Sequence, residues 1–352
     1  MYVCGITPDA ATHLGHAFTY ISFDVLVRLL KFSGYKVRYL QNVTDIDDDI
    51  LVRSKNAGRT WKEFGDHWTK VFQANMKALN WIKPDPYVKA TDSIPTIIKI
   101  VSDLISKGYA YEVNGTVYFE VEKFGKYGLL GRFGKKEMIE LSRERGADPD
   151  DPDKHDPLDF IVWQKVKEGE PSWNSPFGDG RPGWHIECSS MVYDHLGKQI
   201  DIHGGGEDLI YPHYESEIAQ SESFTGKSPF VKYWMHTAYV RFQGEKMSKS
   251  LGNLVMVSDL LKKYSPNAVR YSILSHHWRK PWEYKEKEMK TASLKFEKLE
   301  KLVEDNSVDS EPDSEFINYL NNDFDTPGAL EFLVRTKPKS LNACLTLLGF
   351  AV

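Results

Sequence analysis

Tyr2-Val3-Cys4-Gly5-Ile6 is an apolar, strand-like run near the start of the chain, and the residues that follow it decide the fold. After a polar loop at 7–12, the stretch from His13 to Ser33 places apolar side chains at helical spacing, and Gly34 suits the helix end. Lys36-Val37-Arg38-Tyr39-Leu40 then has the β-branched and aromatic content of a strand. Strand, helix and strand in this order form a βαβ unit. This unit predicts a parallel sheet with a ligand site near the first loop.

The middle of the chain interrupts this pattern. We predict a helix from Pro95 to Lys107 and a hairpin around Asn114-Gly115, a pair that favours tight turns. We interpret residues 90–180 as an inserted α+β segment, after which the sheet resumes near Gly197 to Ile202. From Val257 onward helical patterns dominate and predict no further strands. The predicted fold class is therefore α/β, with a parallel-sheet core, an inserted segment and a short C-terminal helical domain.

Composition is typical of a globular protein without a membrane span. The chain has 352 residues, 41% hydrophobic residues, a formal net charge of −5 and three cysteines. No apolar run approaches the ~18 residues of a membrane span, and the start carries no secretion signal. Three distant cysteines do not form a disulfide framework, so we expect a reducing, cytoplasmic location.

The net charge of the chain argues against a broadly cationic nucleic-acid binder. Residues 256–301 nevertheless carry 11 Lys and Arg against 6 Asp and Glu, which suits a solvated helix face or a surface for an anionic substrate.

His13-Leu14-Gly15-His16 lies where the first loop meets the predicted helix. A helix N-terminus attracts anions, and Gly15 lets the backbone approach a ligand closely. The two imidazoles could donate hydrogen bonds to phosphate oxygens as charge develops. Histidines at this spacing also occur at purely structural positions, so the motif by itself leaves both interpretations open.

Lys246-Met247-Ser248-Lys249-Ser250 places two lysines in a short polar segment. Lysines are point-charge partners for a polyphosphate, and a loop can close over it, although the composition also fits an ordinary surface loop. Together the two motifs resemble the signatures of class I aminoacyl-tRNA synthetases. The resemblance implies a Rossmann-like core that binds ATP with Mg²⁺. It also implies a set of side chains that stabilise the transition state of amino-acid adenylation, namely His13, His16, Lys246 and Lys249.

A third group of residues has the chemistry of a metal site: Cys4, Cys188, His213 and Glu217. If Pro212 begins a helix, the i,i+4 spacing of His213 and Glu217 puts both on one face. Two thiols, an imidazole and a carboxylate form a plausible zinc set. Because the two cysteines are far apart in sequence, they could equally be buried apolar thiols.

Longer motifs resemble cysteinyl-tRNA synthetases in the same order along the chain. They are Met1 to Thr7, Asn42 to Asp48, Gly183-Trp184-His185-Ile186-Glu187-Cys188-Ser189, Asp201 to Gly206, and Asp208-Leu209-Ile210-Tyr211-Pro212-His213. The resemblance implies that the four metal-type residues hold Zn²⁺ and that zinc binds the thiolate of substrate cysteine. Thiolate is a soft ligand that a serine hydroxyl does not match, and a merely hydrophobic pocket separates such pairs poorly.

The same resemblance assigns the substrate pockets. The cysteine-binding residues would be Gly5, Thr44, Trp184, His203 and Asp208. The ATP-binding residues would be Gly15, His16, Gly204, Gly205, Gly206 and Lys249. Taken by itself, Trp184 also fits a core position.

Other segments are similar to a sister family, the mycothiol cysteine ligases, which join activated cysteine to a small amino-sugar amine. They include Gly5 to Pro8, Ala11 to Ala17 and Asn322 to Pro327, and Tyr214 stands where most cysteinyl-tRNA synthetases have a second histidine. Three hypotheses follow. The first is cysteine activation with transfer to the 3′ end of tRNA(Cys), and the alternative is amide formation with a small amine. The third is an inactive binding paralogue, against which the two intact signatures argue.

The end of the chain bears on the choice of acceptor. The synthetases continue past a segment like Leu348 to Val352 into an anticodon-binding domain, which we expect to be absent here. We predict a catalytic domain over 1–255 and a truncated helical domain over 256–352. This expectation is the main reason to keep the small-amine acceptor open.

Overall fold

The structure is a computed structural model, which describes residues 1–247, 251–305 and 311–352. The chain forms two units. The first contains residues 1–9, 39–66 and 84–235, and the second contains residues 10–38, 67–83 and 236–352. Among the described residues, no helix has the length and apolar character needed to cross a membrane.

The strands and helices have the following bounds. The strands are β1 (Tyr2–Ile6), β2 (Leu40–Val43), β3 (Tyr87–Lys89), β4 (Ala110–Val113), β5 (Thr116–Phe119), β6 (Phe160–Lys165), β7 (Gly180–Pro182), β8 (Ile200–Gly206), β9 (Val231–Thr237), β10 (Val240–Phe242), β11 (Glu245–Lys246) and β12 (Trp282–Glu283). The helices are α1 (Leu14–Phe32), α2 (Asp48–Asn56), α3 (Trp61–Ala78), α4 (Ile94–Ser106), α5 (Lys135–Glu144), α6 (Trp184–Leu196), α7 (Glu215–Thr225), α8 (Val257–Leu261), α9 (Pro266–Leu274), α10 (Glu286–Asp305), α11 (Ser314–Asn321), α12 (Thr326–Thr336) and α13 (Leu341–Leu347).

A parallel sheet with the strand order β3-β2-β1-β8-β9 forms the centre of the first unit. In β1, Tyr2 pairs with Leu40 of β2 on one side and with His203 of β8 on the other. The register between β1 and β2 shifts after Val3. Because the strands β1, β2, β3 and β8 run parallel, their carboxyl ends meet at one edge, where ligands bind in open α/β sheets.

A second, antiparallel sheet in the first unit has the order β4-β5-β6-β7. Its first hairpin turns at Asn114 and Gly115, whose φ angles of 54° and 88° are both in the left-handed region that this turn requires. The predicted hairpin is therefore confirmed. This sheet and α4 share a core that includes Ile97, Val117 and Trp163, all fully buried.

The second unit is mostly helical, and it contains a small sheet of order β11-β10-β12. The aromatic rings of Tyr271, Phe296 and Phe350 contact one another between α9, α10 and the chain end, at centroid distances of 4.9–6.3 Å. Arg270 on α9 and Asp24 on α1 form a fully buried ion pair. The predicted helix over 13–33 is confirmed as α1, with His13 and Ser33 as its caps.

Two sequence expectations are wrong. The strand predicted at Lys36 to Leu40 begins only at Leu40, where it pairs with β1, because Lys36 and Arg38 remain in solvent. The second error concerns the region after Val257, where no strand was predicted. There Trp282–Glu283 pairs with β10, a two-residue pairing too short to leave a periodic signal.

Candidate active site

Four predicted metal-type side chains converge inside the first unit. The ligand atoms of Cys4, Cys188, His213 and Glu217 all lie within 4.8 Å of one another, and all four residues are buried. The Cys4 and Cys188 Sγ atoms are 4.0 Å apart, and Cys4 Sγ is 3.6 Å from Glu217 Oε1. His213 Nε2 lies 2.8 Å from the same Glu217 oxygen. We call these four residues the Cys4 cluster.

Four segments of the chain position the cluster. Cys4 lies in the middle of β1, Cys188 lies on α6, and Glu217 lies in the first turn of α7. His213 belongs to a helical turn at Ile210–Tyr214 that leads directly into α7. The two cysteines are 184 residues apart in sequence, so only the packing of α6 on the sheet region brings them together.

Two further histidines, which are not part of the cluster, contact its side chains. His203 Nε2 lies 2.9 Å from Glu217 Oε2, and the His203 ring stacks on Trp234 with centroids 4.7 Å apart. His185 Nδ1 lies 2.9 Å from His213 Nδ1. Such contacts orient ligand side chains and tune their basicity at metal sites.

The protonation of the cluster is strongly perturbed. Burial opposes ionisation of Cys188, but its contacts with Cys4 and His213 lower the pKa of this thiol to about 6. Burial raises the pKa of Cys4 well above its usual value. Although burial disfavours the charged forms, His203 and His213 lower the pKa of Glu217 to about 2, and Cys188 and Glu217 raise the pKa of His213 to about 10.

The distances that involve sulfur fit the dimensions of a tetrahedral zinc site, whereas the 2.8 Å between His213 Nε2 and Glu217 Oε1 is a hydrogen-bond distance that would have to lengthen around an ion. Zinc–sulfur bonds of about 2.3 Å and zinc–oxygen bonds of about 2.1 Å place neighbouring sulfurs about 3.8 Å apart and sulfur and oxygen about 3.6 Å apart. The observed separations of 4.0 and 3.6 Å are close to these values. The donor set of two thiols, one imidazole and one carboxylate is one that zinc accepts.

Two residues that we predict to bind cysteine, Trp184 and His203, contact side chains of this cluster. The Trp184 ring stacks on His213 with centroids 4.4 Å apart, and it is only partly buried, so it is not an ordinary core side chain. Thr44 is buried after β2, where its Oγ1 accepts a hydrogen bond from Asn42 Nδ2 at 3.2 Å. The Gly5 N–H donates to Asn42 Oδ1 at 2.6 Å, and any Cβ at Gly5 would collide with the Asn42 carbonyl oxygen.

The glycines at the end of β8 have close neighbours of their own. A Cβ at Gly205 would collide with the Tyr214 hydroxyl, and one at Gly206 would collide with the Asp208 carboxylate. Gly204 pairs with Val3 in the sheet. The carbonyl of Asp208 accepts a hydrogen bond from Arg145. At Gly205 and Gly206 the absence of a side chain therefore has a steric reason in addition to the predicted role in ATP binding.

The first signature lies in the second unit, at the N-terminus of α1. His13 is the N-cap, and its Nδ1 accepts a hydrogen bond from the His16 N–H at 3.4 Å. The two imidazoles stack with ring centroids 3.6 Å apart. A Cβ at Gly15 would lie 3.0 Å from the His13 ring, so a small residue is needed between them.

The second signature lies in the same unit. Lys246 is exposed, with Nζ 4.0 Å from the centroid of the Tyr239 ring. The chain that follows returns to the first signature, since the Leu14 N–H donates to the Val255 carbonyl at 2.8 Å. Lys249 lies outside the described residues.

Sequence reasoning missed two contacts of the cluster. The motif at 183–189 gives His185 no role, and the family resemblance places His203 at the substrate and not at Glu217. The sequence signal for these contacts is the position of the two histidines. His185 lies in the motif that carries Cys188, and His203 lies in the motif that carries Gly204 to Gly206. The direct contacts depend on packing between α6, β8 and α7, which no local spacing reveals.

Comparison with known families decides the relationship. The family model described as tRNA synthetases class I (C) catalytic domain matches residues 1–294. The chain belongs to this family.

Two relatives of this class I (C) chain carry different names. A cysteine–tRNA ligase from Dehalococcoides mccartyi is 47% identical over 339 residues, which cover 94% of this chain and 73% of the relative. An L-cysteine:1D-myo-inositol 2-amino-2-deoxy-alpha-D-glucopyranoside ligase from Thermomonospora curvata is 42% identical over 347 residues, covering 97% and 83%.

Solved structures share the class I fold. The methionyl-tRNA synthetase of Mycobacterium tuberculosis in complex with methionyl-adenylate has a TM-score of 0.64 and 17% identity, over 99% of this chain and 88% of that one. At this identity the likeness shows the fold alone. The predicted fold class, a Rossmann-like α/β core followed by helices, is confirmed.

Proposed function

We propose that this chain is a ligase that activates L-cysteine with ATP and transfers it to the 3′ end of tRNA(Cys). The observation that carries the proposal is the convergence of four buried metal-type ligand atoms in a chain of the class I (C) family. Relatives named cysteine–tRNA ligase support the same assignment. The first half-reaction joins the cysteine carboxylate to the α-phosphate of ATP and releases pyrophosphate.

Substrate selection is the task of the Cys4 cluster. A zinc ion held by Cys4, Cys188, His213 and Glu217 would supply a soft Lewis-acid contact for the substrate thiolate. The Trp184 ring, which stacks on His213, would line the cysteine site, and His203 holds the Glu217 carboxylate through Oε2. Gly5, Thr44 and Asp208 complete the cysteine pocket.

Adenylation is the task of the two signatures. The attacking carboxylate is already ionised, so the reaction needs no general base. His13, His16, Lys246 and Lys249 would donate hydrogen bonds and positive charge to the phosphate oxygens as negative charge builds up, and Mg²⁺ bound with ATP would add to that positive charge. Gly15 and the glycines at 204–206 let ATP approach the backbone closely.

Pyrophosphate exchange tests this function. Exchange of labelled pyrophosphate into ATP should require cysteine, should not occur with serine, and should stop when zinc is chelated. Cys188→Ala should abolish it. Cys344→Ala is the matched control, since Cys344 is also a buried thiol but lies outside the cluster. Normal exchange by Cys188→Ala would contradict the proposed role of the cluster.

A second acceptor has its own support. The relative from Thermomonospora curvata, named as a ligase of cysteine and an aminoglucosyl inositol, aligns with 97% of this chain. In the alternative, the same cysteinyl-adenylate reacts with a small amine and forms an amide. Preformed adenylate offered to total tRNA and to glucosaminyl inositol distinguishes the two, because charged tRNA supports the first and a cysteinyl amide the second.

The remaining assignments are also part of this proposal. We propose a cytoplasmic location, as expected from the sequence. The division into a catalytic domain over 1–255 and a helical domain over 256–352 stays a prediction.

A further inference from the structure

The inserted segment of the first unit contacts the turn that follows β8. We call residues 207–214 the Asp208 turn, because they carry Asp208 of the proposed cysteine pocket and His213 of the Cys4 cluster. Residues 90–180 supply none of the side chains assigned above to zinc, cysteine or ATP. Their contacts with the Asp208 turn therefore raise the question of what the inserted segment does for the site.

Two sets of hydrogen bonds hold the middle and the end of the turn. In the middle, Ser142 Oγ on α5 lies 2.9 Å from the Tyr211 hydroxyl oxygen, and both residues are buried. Directly after the turn, the buried Glu215 carboxylate accepts hydrogen bonds from the Gly128 N–H at 2.9 Å and from the Gly131 N–H at 2.8 Å. The inserted segment thus fixes the turn where it leads into α7.

Arg145 makes the contact at the beginning of the turn. It is the C-terminal cap of α5 and is only partly buried, and its guanidinium donates a hydrogen bond to the backbone carbonyl of Asp208. The rotamers open to a side chain depend on the conformation of its own backbone. A bond that holds the Asp208 backbone therefore also restricts where the Asp208 carboxylate points.

The Asp208 carboxylate lies at the carboxyl end of β8. A Cβ at Gly206 would lie 2.4 Å from Asp208 Oδ1, so this oxygen lies directly over the glycine. The carboxyl edge of a parallel sheet is where ligands bind in open α/β folds. Free cysteine carries a thiol, a carboxylate and an ammonium, and of these only the ammonium is a cationic partner for an aspartate.

We propose that Arg145 is a positioning residue for substrate cysteine. By holding the Asp208 backbone, it places the Asp208 carboxylate where the substrate ammonium binds. This inference rests on the proposed function, since it takes Asp208 as part of a cysteine pocket. The effect is carried by one donor on one carbonyl, so a lysine at position 145 can supply it and an alanine cannot.

Calorimetric titration of the zinc-loaded full chain with two thiols tests this inference. L-Cysteine carries the ammonium, and 3-mercaptopropionate has the same thiol and carboxylate without it. Arg145→Ala should weaken cysteine binding by about tenfold, because a misplaced carboxylate loses a charge-assisted hydrogen bond. The same variant should bind 3-mercaptopropionate as the wild type does. Arg145→Lys should restore cysteine affinity to within about threefold of the wild type.

Two further variants make the result specific. Arg143→Ala is the matched control, since Arg143 lies on the same helix and its guanidinium pairs with Asp150 at 2.8 and 2.9 Å. It should bind both thiols like the wild type. Arg145→Met guards against misfolding of Arg145→Ala, because it keeps an apolar stem and removes only the donor. It should show the same selective loss of cysteine affinity.

The outcomes separate this inference from the proposed function. Equal weakening of both thiols by Arg145→Ala and Arg145→Met would show a general structural role and would overturn the proposal. Cysteine binding that is unchanged in both variants would contradict this inference alone. A wild-type chain that binds no cysteine would contradict the proposed function as well.

Discussion

Each of the two units buries a group of charged side chains, and the two groups are built differently. In the second unit, the Arg270 guanidinium donates to Asp24 and, at 2.7 Å each, to the carbonyls of Leu348 and Leu79. In the first unit, the side chains of the Cys4 cluster point their ligand atoms at one another.

This difference separates a structural group from a ligand site. Asp24 is satisfied within the chain, since it also accepts from Arg28 Nε at 2.8 Å and from the Ile82 N–H at 2.7 Å. Together Asp24 and Arg270 tether α1 and α9 to the segment after α3 and to the chain end. The two thiols of the Cys4 cluster, in contrast, are weak hydrogen-bonding groups and strong metal ligands. Both groups contain charged side chains that are buried. Only in the Cys4 cluster do the potential metal-ligand atoms lie close to one another.

Removing the Asp24 carboxylate gives the largest expected effect, a loss of folding stability. Asp24→Ala leaves the Arg270 guanidinium buried without its counter-charge, so the free energy of unfolding should fall by about 3–5 kcal/mol. Zinc content should stay unchanged. Urea unfolding and metal analysis measure the two quantities. The control is Asp201→Ala, which breaks an exposed ion pair and should cost less than about 1 kcal/mol. An Asp24→Ala protein as stable as the wild type would show that the pair is not the structural group described here.

The protonation states of the Cys4 cluster predict how its zinc affinity depends on pH. At pH 7 the Cys4 thiol, whose pKa is raised, and His213, whose pKa is about 10, hold protons that zinc must displace. Cys188 and Glu217, with pKa values of about 6 and about 2, are already ionised. Zinc affinity should therefore rise with pH between about 6.5 and 8.5, by up to about 100-fold per unit for two protons. Competition with a chromophoric chelator measures it, and a flat profile would contradict these protonation states.

Loss of the contact between His203 and Glu217 gives the smallest expected effect, a moderate decrease in zinc affinity. His203→Ala removes the partner of Glu217 Oε2, so zinc should dissociate about 10–100-fold more readily while the four ligands remain. His276→Ala is the control, since His276 stacks on Trp282 in the second unit at 3.8 Å. If His203→Ala binds zinc as tightly as the control does, the contact between His203 and Glu217 does not contribute to zinc affinity.

Local sequence patterns predicted the elements whose signals lie within a few residues. Helix α1 follows from its apolar spacing and from Gly34 after its end, and the hairpin follows from Asn114-Gly115. The second strand begins later than predicted because its pairing with β1 starts only at Leu40. Propensity favours such a run, but pairing with β1 decides its bounds.

Prediction of the site depended on longer motifs. The residues alone left Cys4 and Cys188 as either ligands or core thiols, and the resemblance to a family grouped them with His213 and Glu217. The contacts of His185 and His203 could not be predicted, since they arise where α6, β8 and α7 pack together. The contact of Arg145 with Asp208 has the same origin, because α5 and the turn after β8 are distant in sequence.

Zinc-edge X-ray absorption of the zinc-loaded chain tests whether the Cys4 cluster holds zinc and whether that zinc binds the thiol of substrate cysteine. Without substrate, the zinc should have two sulfur neighbours, from Cys4 and Cys188, at about 2.3 Å. Addition of cysteine should raise the sulfur count to three, and addition of serine should leave it at two. A sulfur count that stays at two with saturating cysteine would contradict the account.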